Sequence, residues 1–315
     1  MTTPRAGLVI TPTTARATVD TIVQADRRGV PMLWSITLPA LPDTMTLLAA
    51  AAVQTAQIGL GTAIVQTYPR NPVVLAMQAA AIDGLAPGRF RLGIGPGSPR
   101  SIEGVYGIPF GKPLAHLREY VAALRGLLWE GAAHVEGETV RVHAQLPEGV
   151  QPPRIPIIMS ALRVASFRLA GEIADGVVSW VAPVPYLHNT ALPAMREGAA
   201  KAGRPTPRLI ANVPVVLSED RTQVHAAGRA RLGVYARLPF YMAMFADIGF
   251  PVPGDGTLPD ALLDELIVSG SPAQVEARLR AILDSGIDEV TVMVAPVSDE
   301  AAENEAVARI LAAIG

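Results

Sequence analysis

Short apolar runs and segments of helical spacing alternate along most of this chain. The runs at 7–10 and 31–35 are apolar almost throughout, which is typical of strands buried on both faces of a parallel sheet. Between them, 18–29 carries apolar residues at helical spacing and ends at Gly29. The pattern predicts eight strands, at Gly7–Ile10, Pro31–Ser35, Ile58–Gln66, Arg89–Gly95, Arg154–Ser160, Asp175–Val181, Arg208–Leu217 and Asp288–Val294.

Capping residues support several of the helices between these strands. Asp43 is placed to cap the second helix, and Asn71, followed by Pro72, is placed to cap the third. Two segments depart from this alternation. Residues 134–143 alternate in polarity around a turn, which predicts a β-hairpin, and 220–246 predicts one long helix before a loop rich in glycine and proline.

Eight successive strand–helix units predict one (β/α)8 TIM barrel, a single domain over residues 1–315, with the hairpin outside the ring. The alternative is a doubly wound Rossmann sheet. Gly93, Gly95 and Gly97 form a G-x-G-x-G pattern rather than G-x-G-x-x-G, and they follow the fourth strand. No acidic residue follows them at dinucleotide spacing, so the barrel is favoured.

Charge and cysteine content exclude several functions. With 26 basic and 28 acidic residues the formal net charge is −2, so no basic field exists to attract nucleic acid. The absence of cysteine excludes disulfides, thiolate catalysis and cysteine-bound zinc. The first residues lack the apolar core of a signal peptide, and the most apolar window, 45–56, is too short to cross a membrane. We therefore expect a cytoplasmic protein without membrane contact.

The mean hydropathy of +0.32 is high for such a protein. Alanine accounts for part of this value, and a large core or an oligomer interface accounts for the rest. We expect a homodimer, with the helices after the second and third strands, at 43–56 and 73–85, supplying the paired surface.

The carboxyl ends of the strands, where barrel enzymes carry their sites, are poor in acids and bases. They hold no carboxylate pair, no histidine cluster and no Ser–His–Asp constellation, so we expect neither a metal ion nor acid–base hydrolysis. The stretch GRFRLGIGPGS at 88–98 instead runs from a strand into closely spaced glycines, whose amides are suited to a phosphate. This combination points to a bound cofactor that supplies the chemistry.

The segment GTAIVQTYPRNPVVLAMQAAAIDGLAPGRFRLGIGPGS, at 61–98, resembles the luciferase-like monooxygenase superfamily, and within it the branch that uses the deazaflavin coenzyme F420. REYVAALRGLLWEG, RLAGEIADGVVSW and GSPAQVEARLRAILDSGIDEVTV are similar in order and spacing, so the resemblance covers nearly the whole chain. It implies a luciferase-like barrel and an oxidoreductase that transfers a hydride between deazaflavin C5 and an unidentified organic substrate. An FMN-dependent monooxygenase and a non-catalytic flavin-binding protein are the alternatives.

The resemblance also implies two contacts with the cofactor. A non-prolyl cis peptide in the third strand would back the middle ring of the flavin, and amides from the glycine loop and the next helix start would hold the phosphate. Relatives often have glycine near 162–163, where an arginine here either adds a cation or blocks the backbone. The expected cofactor-binding residues are Ala63, Ile64, Gly95, Gly97, Ser98, Ser160, Ala161, Leu162 and Arg163.

No catalytic acid or base is assigned from the sequence. Side chains near the strand ends give four candidates for the pocket wall: Trp34, Tyr68, His116 and Trp180. For the tyrosine and the histidine a purely structural role is the alternative. Basic residues are expected to form a rim that guides the anionic tail of F420, namely Arg100, Lys112, His116, Arg118, Arg163 and Arg168.

Overall fold

The computed structural model describes residues 4–315. Its strands are β1 (Ala6–Ile10), β2 (Met32–Ser35), β3 (Gly59–Thr62), β4 (Val65–Gln66), β5 (Phe90–Gly95), β6 (Ala132–Glu136), β7 (Arg141–Gln145), β8 (Ile157–Ser160), β9 (Gly176–Ser179), β10 (Arg208–Val216), β11 (Val268–Ser269) and β12 (Glu289–Val294). Eight of them form a parallel ring in the order β1-β2-β3-β5-β8-β9-β10-β12, which closes because β12 pairs with β1. The predicted barrel is confirmed, and the Rossmann alternative is excluded because the ring has no open edge.

Helices cover the outside of this ring. They are α1 (Ala15–Arg27), α2 (Thr44–Ala52), α3 (Pro72–Leu85), α4 (Pro99–Ile102), α5 (Pro113–Arg125), α6 (Val164–Ile173), α7 (Val184–Tyr186), α8 (Leu192–Lys201), α9 (Arg221–Leu232), α10 (Pro239–Asp247), α11 (Asp260–Leu266), α12 (Pro272–Asp284) and α13 (Glu300–Ile314). The predicted caps form, since Asp43 accepts a hydrogen bond from the Thr46 amide and Asn71 accepts one from the Val73 amide. Over residues 4–315, none of these helices has the length and apolar character needed to cross a membrane.

The predicted hairpin lies outside the ring. Strands β6 and β7 form a separate antiparallel sheet in which His134 pairs with His143. Glu119 of α5 anchors its turn, because the carboxylate accepts hydrogen bonds from the amides of Glu138, Thr139 and Val140. The hairpin is thereby fixed against the helix that follows the glycine loop.

A second segment outside the ring, residues 217–267, leaves the ring after β10 and returns to the same carboxyl end of the ring. It returns there because β11 pairs with Val215 and Val216, the last two residues of β10. We call 217–267 the β10–β11 insertion. The expectation of one helix over 220–246 is wrong: α9 ends at Leu232 and α10 begins at Pro239, whose nitrogen has no hydrogen to continue a helical ladder.

A tryptophan and a buried ion pair fill the lower part of the barrel. Trp34 is fully buried, and its ring lies against Gly7 and Gly61 on the neighbouring strands, where any β-carbon would collide with it. Its Nε1 donates to Glu289, which also pairs with Arg91 at 2.6 Å. Burial raises the pKa of Glu289, and Arg91 opposes that rise. This layer is structural and closes the barrel below its carboxyl end.

Candidate cofactor site

The third predicted strand is interrupted at the position where the resemblance places a flavin contact. Strands β3 and β4 are separated by Ala63 and Ile64, whose peptide bond is cis, as predicted. Thr62 ties this point to β5, because its hydroxyl donates to the Gly93 carbonyl at 2.7 Å and accepts from the Gly93 amide at 2.8 Å. A β-carbon at Gly93 would overlap the Thr62 carbonyl, so only glycine allows this approach.

The glycines at the end of β5 let this loop pack closely against side chains of neighbouring segments. Gly95 lies beside Ser160 of β8, and a β-carbon on Gly95 would overlap the serine hydroxyl. Gly97 has φ +77°, and a β-carbon there would press on Gln66 at 3.3 Å. Ser98 caps α4 by accepting from the Ser101 amide. Gly95, Gly97, Ser98 and Ser160 thus come together, as the sequence predicts.

The start of α6 differs from the expectation. The Ala161 amide donates to the Val178 carbonyl at 3.1 Å, and the amides of Leu162 and Arg163 donate to the Ser166 hydroxyl at 3.2 and 3.1 Å. These three expected phosphate donors therefore already have acceptors. The amides without intrahelical acceptors are those of the first helical residues, Val164 and Ala165. Ser166, which the sequence analysis did not single out, causes this shift.

Arg163 does not project freely toward the glycine loop. Its guanidinium pairs with Asp247 at the end of α10, at 2.7 Å, and so joins α6 to the β10–β11 insertion. Three further members of the predicted basic rim are also paired: Lys112 with Glu138, Arg118 with Glu172 and Arg168 with Glu197. The prediction of a free basic rim needs correction, and Arg100 is its one arginine without a carboxylate partner among residues 4–315.

His116 is a buried structural histidine. Its Nε2 lies 3.0 Å from the Thr67 hydroxyl and its Nδ1 lies 3.1 Å from the Thr139 hydroxyl. Because Thr139 donates its own proton to Glu119, its oxygen accepts from Nδ1–H, and Nε2 accepts from Thr67. Burial lowers the pKa of His116. The neutral ring therefore connects the hairpin to the segment after β4.

Tyr68 stacks on this histidine, with ring centroids 4.0 Å apart, and its hydroxyl donates to the Gly111 carbonyl. The two residues line a small cavity of about 270 Å³ together with residues 69–72 and 139–141. Trp34, by contrast, is in the closed lower layer of the barrel with no exposed surface, so its assignment to the pocket wall is wrong. Its bond to Glu289 holds the ring in that layer.

Trp180 lies at the carboxyl end of β9, half-buried beneath the β10–β11 insertion. Its Nε1 donates to the Tyr235 hydroxyl at 2.6 Å, and the Tyr241 hydroxyl donates to its carbonyl at 3.0 Å. Burial raises the pKa of both tyrosines, so their hydroxyls stay protonated at neutral pH. The sequence analysis missed these two residues because they lie on the insertion, away from any strand end. The aromatic run FYMAMF was an available signal for Tyr241.

The fold is an eight-stranded parallel (β/α)8 barrel with a glycine loop at its carboxyl end, and comparison with known proteins identifies its family. The chain belongs to the luciferase-like monooxygenase family, whose model matches residues 1–289. It is 27% identical over 284 residues to a 5,10-methylenetetrahydromethanopterin reductase of Methanolobus tindarius, covering 84% of this chain and 86% of that one. It is 28% identical over 305 residues to an F420-dependent glucose-6-phosphate dehydrogenase of Kineococcus radiotolerans, covering 89% and 87%.

Among solved structures, the fold is similar to the coenzyme F420-dependent tetrahydromethanopterin reductase of Methanopyrus kandleri. The TM-score is 0.79 at 23% identity, with 98% of each chain covered. The predicted resemblance to this superfamily is confirmed, and the similarity extends over the hairpin and the insertion as well as the ring.

Proposed function

We propose that this protein is an F420-dependent oxidoreductase that transfers a hydride to or from an organic substrate. One observation carries the proposal: the glycine-rich loop at the ends of β5 and β8, which we call the cradle, where Gly95 packs against Ser160 and Gly97 has φ +77°. A backbone surface of this kind suits an anionic phosphodiester, because amides approach it closely. Relatives whose names specify F420 support the choice of cofactor.

The residues at the cradle fit the cofactor's phosphate. Gly97 and Ser98 on one side and the first-turn amides of α6, at Val164 and Ala165, on the other offer backbone donors and no acidic side chain. Bound there, the deazaflavin would supply the hydride donor or acceptor. The chain's own residues bind its phosphate, position its ring beside Ala63 and Ile64, and exclude water.

Within residues 4–315, the candidate bases named above at the carboxyl end are all hydrogen-bonded inside the protein, which fits a hydride transfer better than hydrolysis. His116 is bonded through both ring nitrogens. The hydroxyls of Tyr68, Tyr235 and Tyr241 are each bonded within the protein. Reactions of this class depend on orientation and a dry surface more than on a strong base.

Titration of the purified protein with F420, FMN and FAD tests the proposal. We expect F420 to bind tightest and to be reduced or oxidised anaerobically with a substrate. Tighter binding of FMN, with oxygen-dependent turnover, would favour the monooxygenase alternative. Tight binding without turnover across a broad panel of substrates would favour a flavin-binding protein. The names of the two relatives specify different substrates.

A homodimer is part of the proposal. Helices α2 and α3 pack side by side, and apolar side chains are exposed beside them: Val53, directly after α2, at 63% and Met77 of α3 at 67%. Val74 and Leu85 extend the same surface along α3. An apolar patch of this kind is stabilised when a second copy covers it. The dimer and the cytoplasmic location stay predictions.

A further inference from the structure

Tyr235, in the short helical turn between α9 and α10 of the β10–β11 insertion, carries a hydroxyl whose proton finds no acceptor among residues 4–315. The Trp180 indole nitrogen, which can only donate, lies 2.6 Å from the phenolic oxygen. The oxygen is therefore the acceptor in this contact, and the phenolic proton points elsewhere. Within the described residues this is the one hydrogen bond of the hydroxyl.

The other tyrosines of the chain are satisfied differently. Of the six tyrosines, four donate their proton to a backbone carbonyl, namely Tyr68 to Gly111, Tyr120 to Arg70, Tyr186 to Leu162 and Tyr241 to Trp180. A fifth, Tyr106, is 38% exposed, so water can accept its proton. Tyr235 is half-buried, and over residues 4–315 it is the one such tyrosine whose donor the fold leaves unused.

The surroundings of Tyr235 keep this proton on the phenol. Burial raises its pKa, and the bond from Trp180 and the positive charge of Arg231 offset only part of that rise. The bond from Trp180 also polarises the hydroxyl, which makes it a stronger donor. The unused group is therefore a neutral hydrogen-bond donor at neutral pH rather than a base.

The strand register places the contact between Trp180 and Tyr235 next to the cradle. Ser160, which packs against Gly95, pairs with Val178 of β9, and Trp180 lies two residues further along the chain. The salt bridge at the end of α10 ties the insertion to the start of α6, on the same side of the ring. The unused hydroxyl thus lies at the carboxyl end of the barrel, one strand beyond the wall proposed for the cofactor's phosphate.

We infer that the Tyr235 hydroxyl donates a hydrogen bond to a carbonyl oxygen of the substrate. This inference rests on the proposed function, because a hydride adds to an electron-poor carbon and a carbonyl group supplies one. A hydrogen bond to the carbonyl oxygen orients the group and draws electron density away from its carbon. Trp180 holds the phenol in place through the bond to its oxygen. Tyr235 therefore favours carbonyl compounds over analogues of the same shape that lack the oxygen.

Two probes of matched shape test this inference: cyclohexanone, and methylenecyclohexane, in which a methylidene carbon replaces the carbonyl oxygen. Binding is measured by NMR on protein saturated with oxidised F420, which has no hydride to give, so the ketone is not consumed. The variant is Tyr235→Phe, which removes only the hydroxyl, and the matched control is Tyr106→Phe at the exposed tyrosine. We expect the parent protein and Tyr106→Phe to bind the ketone about three- to tenfold more tightly than the alkene. Tyr235→Phe should bind the two probes equally.

The indole N–H resonance of Trp180 provides a second measurement that does not depend on affinity. The chain has three tryptophans, and Trp180→Phe identifies the resonance by its loss. We expect the ketone to shift this resonance in the parent protein, because a ligand that accepts from Tyr235 changes the neighbouring bond. In Tyr235→Phe the ketone should not shift it. The resonance of Trp34, in the closed lower layer, should stay fixed throughout.

Equal losses of affinity for both probes in Tyr235→Phe would reduce the residue to a packing role and overturn the inference. Equal binding of the two probes by the parent protein, or no binding of either, would overturn it as well. F420 affinity should be the same in the parent protein and in Tyr235→Phe; a fall in F420 affinity with the probe ratio unchanged would assign the hydroxyl to the cofactor and not to the substrate. If the parent protein binds no F420, the proposed function fails, and the probe ratio on unloaded protein still decides whether Tyr235 binds a carbonyl oxygen.

Discussion

The imidazole of His116 lies nearly parallel to the phenol of Tyr68, at an interplanar angle of 17° and a centroid distance of 4.0 Å. Both ring nitrogens of His116 form hydrogen bonds. Nδ1 bonds Thr139 of the hairpin, and Nε2 bonds Thr67 in the segment after β4. In the neutral imidazole Nδ1 donates to Thr139 and Nε2 accepts from Thr67, and burial favours this uncharged form. Protonation of His116 therefore places a charge in a buried site.

This arrangement makes stability depend on pH with a definite sign. Burial lowers the pKa of His116 in the folded state, so the unfolded chain takes up the proton first as the pH falls. The stabilisation is complete above the unfolded pKa of about 6.5 and declines below it toward the folded pKa. We expect the melting temperature to drop more between pH 7 and pH 5 in the parent protein than in His116→Gln. Parallel curves for the two proteins would contradict the assignment.

The pair of Arg91 and Glu289 gives a second stability prediction. Glu289 has no exposed surface, and its salt bridge with Arg91 is 2.6 Å long. In Arg91→Leu, the buried carboxylate of Glu289 keeps only Trp34 and a more distant Arg208 as partners. We expect this variant to lower the free energy of unfolding by about 3–5 kcal/mol. Burial already raises the pKa of Glu289, so the loss should be smaller at pH 5 than at pH 8.

Urea denaturation measures this loss, and Glu289→Gln in the Arg91→Leu background is the control. Replacing the charge with a neutral amide removes the uncompensated ion, so the double variant should be more stable than Arg91→Leu alone. A double variant less stable than the single one would indicate that the packing of this layer, rather than its charge, dominates.

The sequence predicted the ring and the glycine loop well because both follow from local rules. Apolar runs of strand length, ended by glycine or by a capping residue, located all eight strands, and the close spacing of Gly95 and Gly97 marked a loop that only small residues allow. The hairpin was equally visible, since its alternation is local. These features depend on neighbours within a few residues.

The predictions that proved wrong, for Trp34 and for the basic rim, depend on contacts between distant segments. Trp34 follows the strand pattern of a pocket residue, but glycines on the two adjacent strands open the barrel interior to its ring. The charges of Arg163 and Arg168 were visible in the sequence, but their partners, Asp247 and Glu197, are far along the chain. No local sequence pattern predicts ion pairs between distant residues. The sequence therefore suggested a more basic rim than the folded protein has.

The apolar face of α2 and α3 predicts the oligomeric state. Met77 is exposed at the middle of this face, and Met77→Lys would place a charge in the paired surface. We expect the parent protein to sediment as a dimer at micromolar concentration and Met77→Lys to sediment as a monomer. Val150→Lys adds the same charge at another exposed apolar residue, after the hairpin, and should stay dimeric. A monomeric parent protein would contradict the dimer outright.

Of the predicted basic rim, Arg100 is the residue left to attract the anionic tail of F420. Lys112 is exposed and paired with Glu138 at 2.5 Å, so its charge is partly offset. We expect Arg100→Ala to weaken F420 binding by a few-fold at low salt, since an exposed contact contributes about 0.2–1 kcal/mol, and Lys112→Ala to have a smaller effect. Added salt should reduce the Arg100 effect. FMN affinity, measured in parallel, should not respond to either variant, because FMN lacks the glutamyl tail.

Gly97 provides the decisive test of the cradle. At φ +77° a β-branched residue is strained, and its β-carbon would press on Gln66 and on Ile102 at 3.2 Å. Gly97→Val should shift the loop and remove one or two phosphate hydrogen bonds at about 1.5–3 kcal/mol each, which weakens F420 binding by at least tenfold. Gly88→Val is the control, because Gly88 has φ +71° and open space where its β-carbon would lie. That variant carries similar strain just before β5 and should bind F420 normally. Equal F420 affinity in folded Gly97→Val and Gly88→Val would reduce the glycine loop to a simple turn and remove the observation on which the proposed cofactor depends.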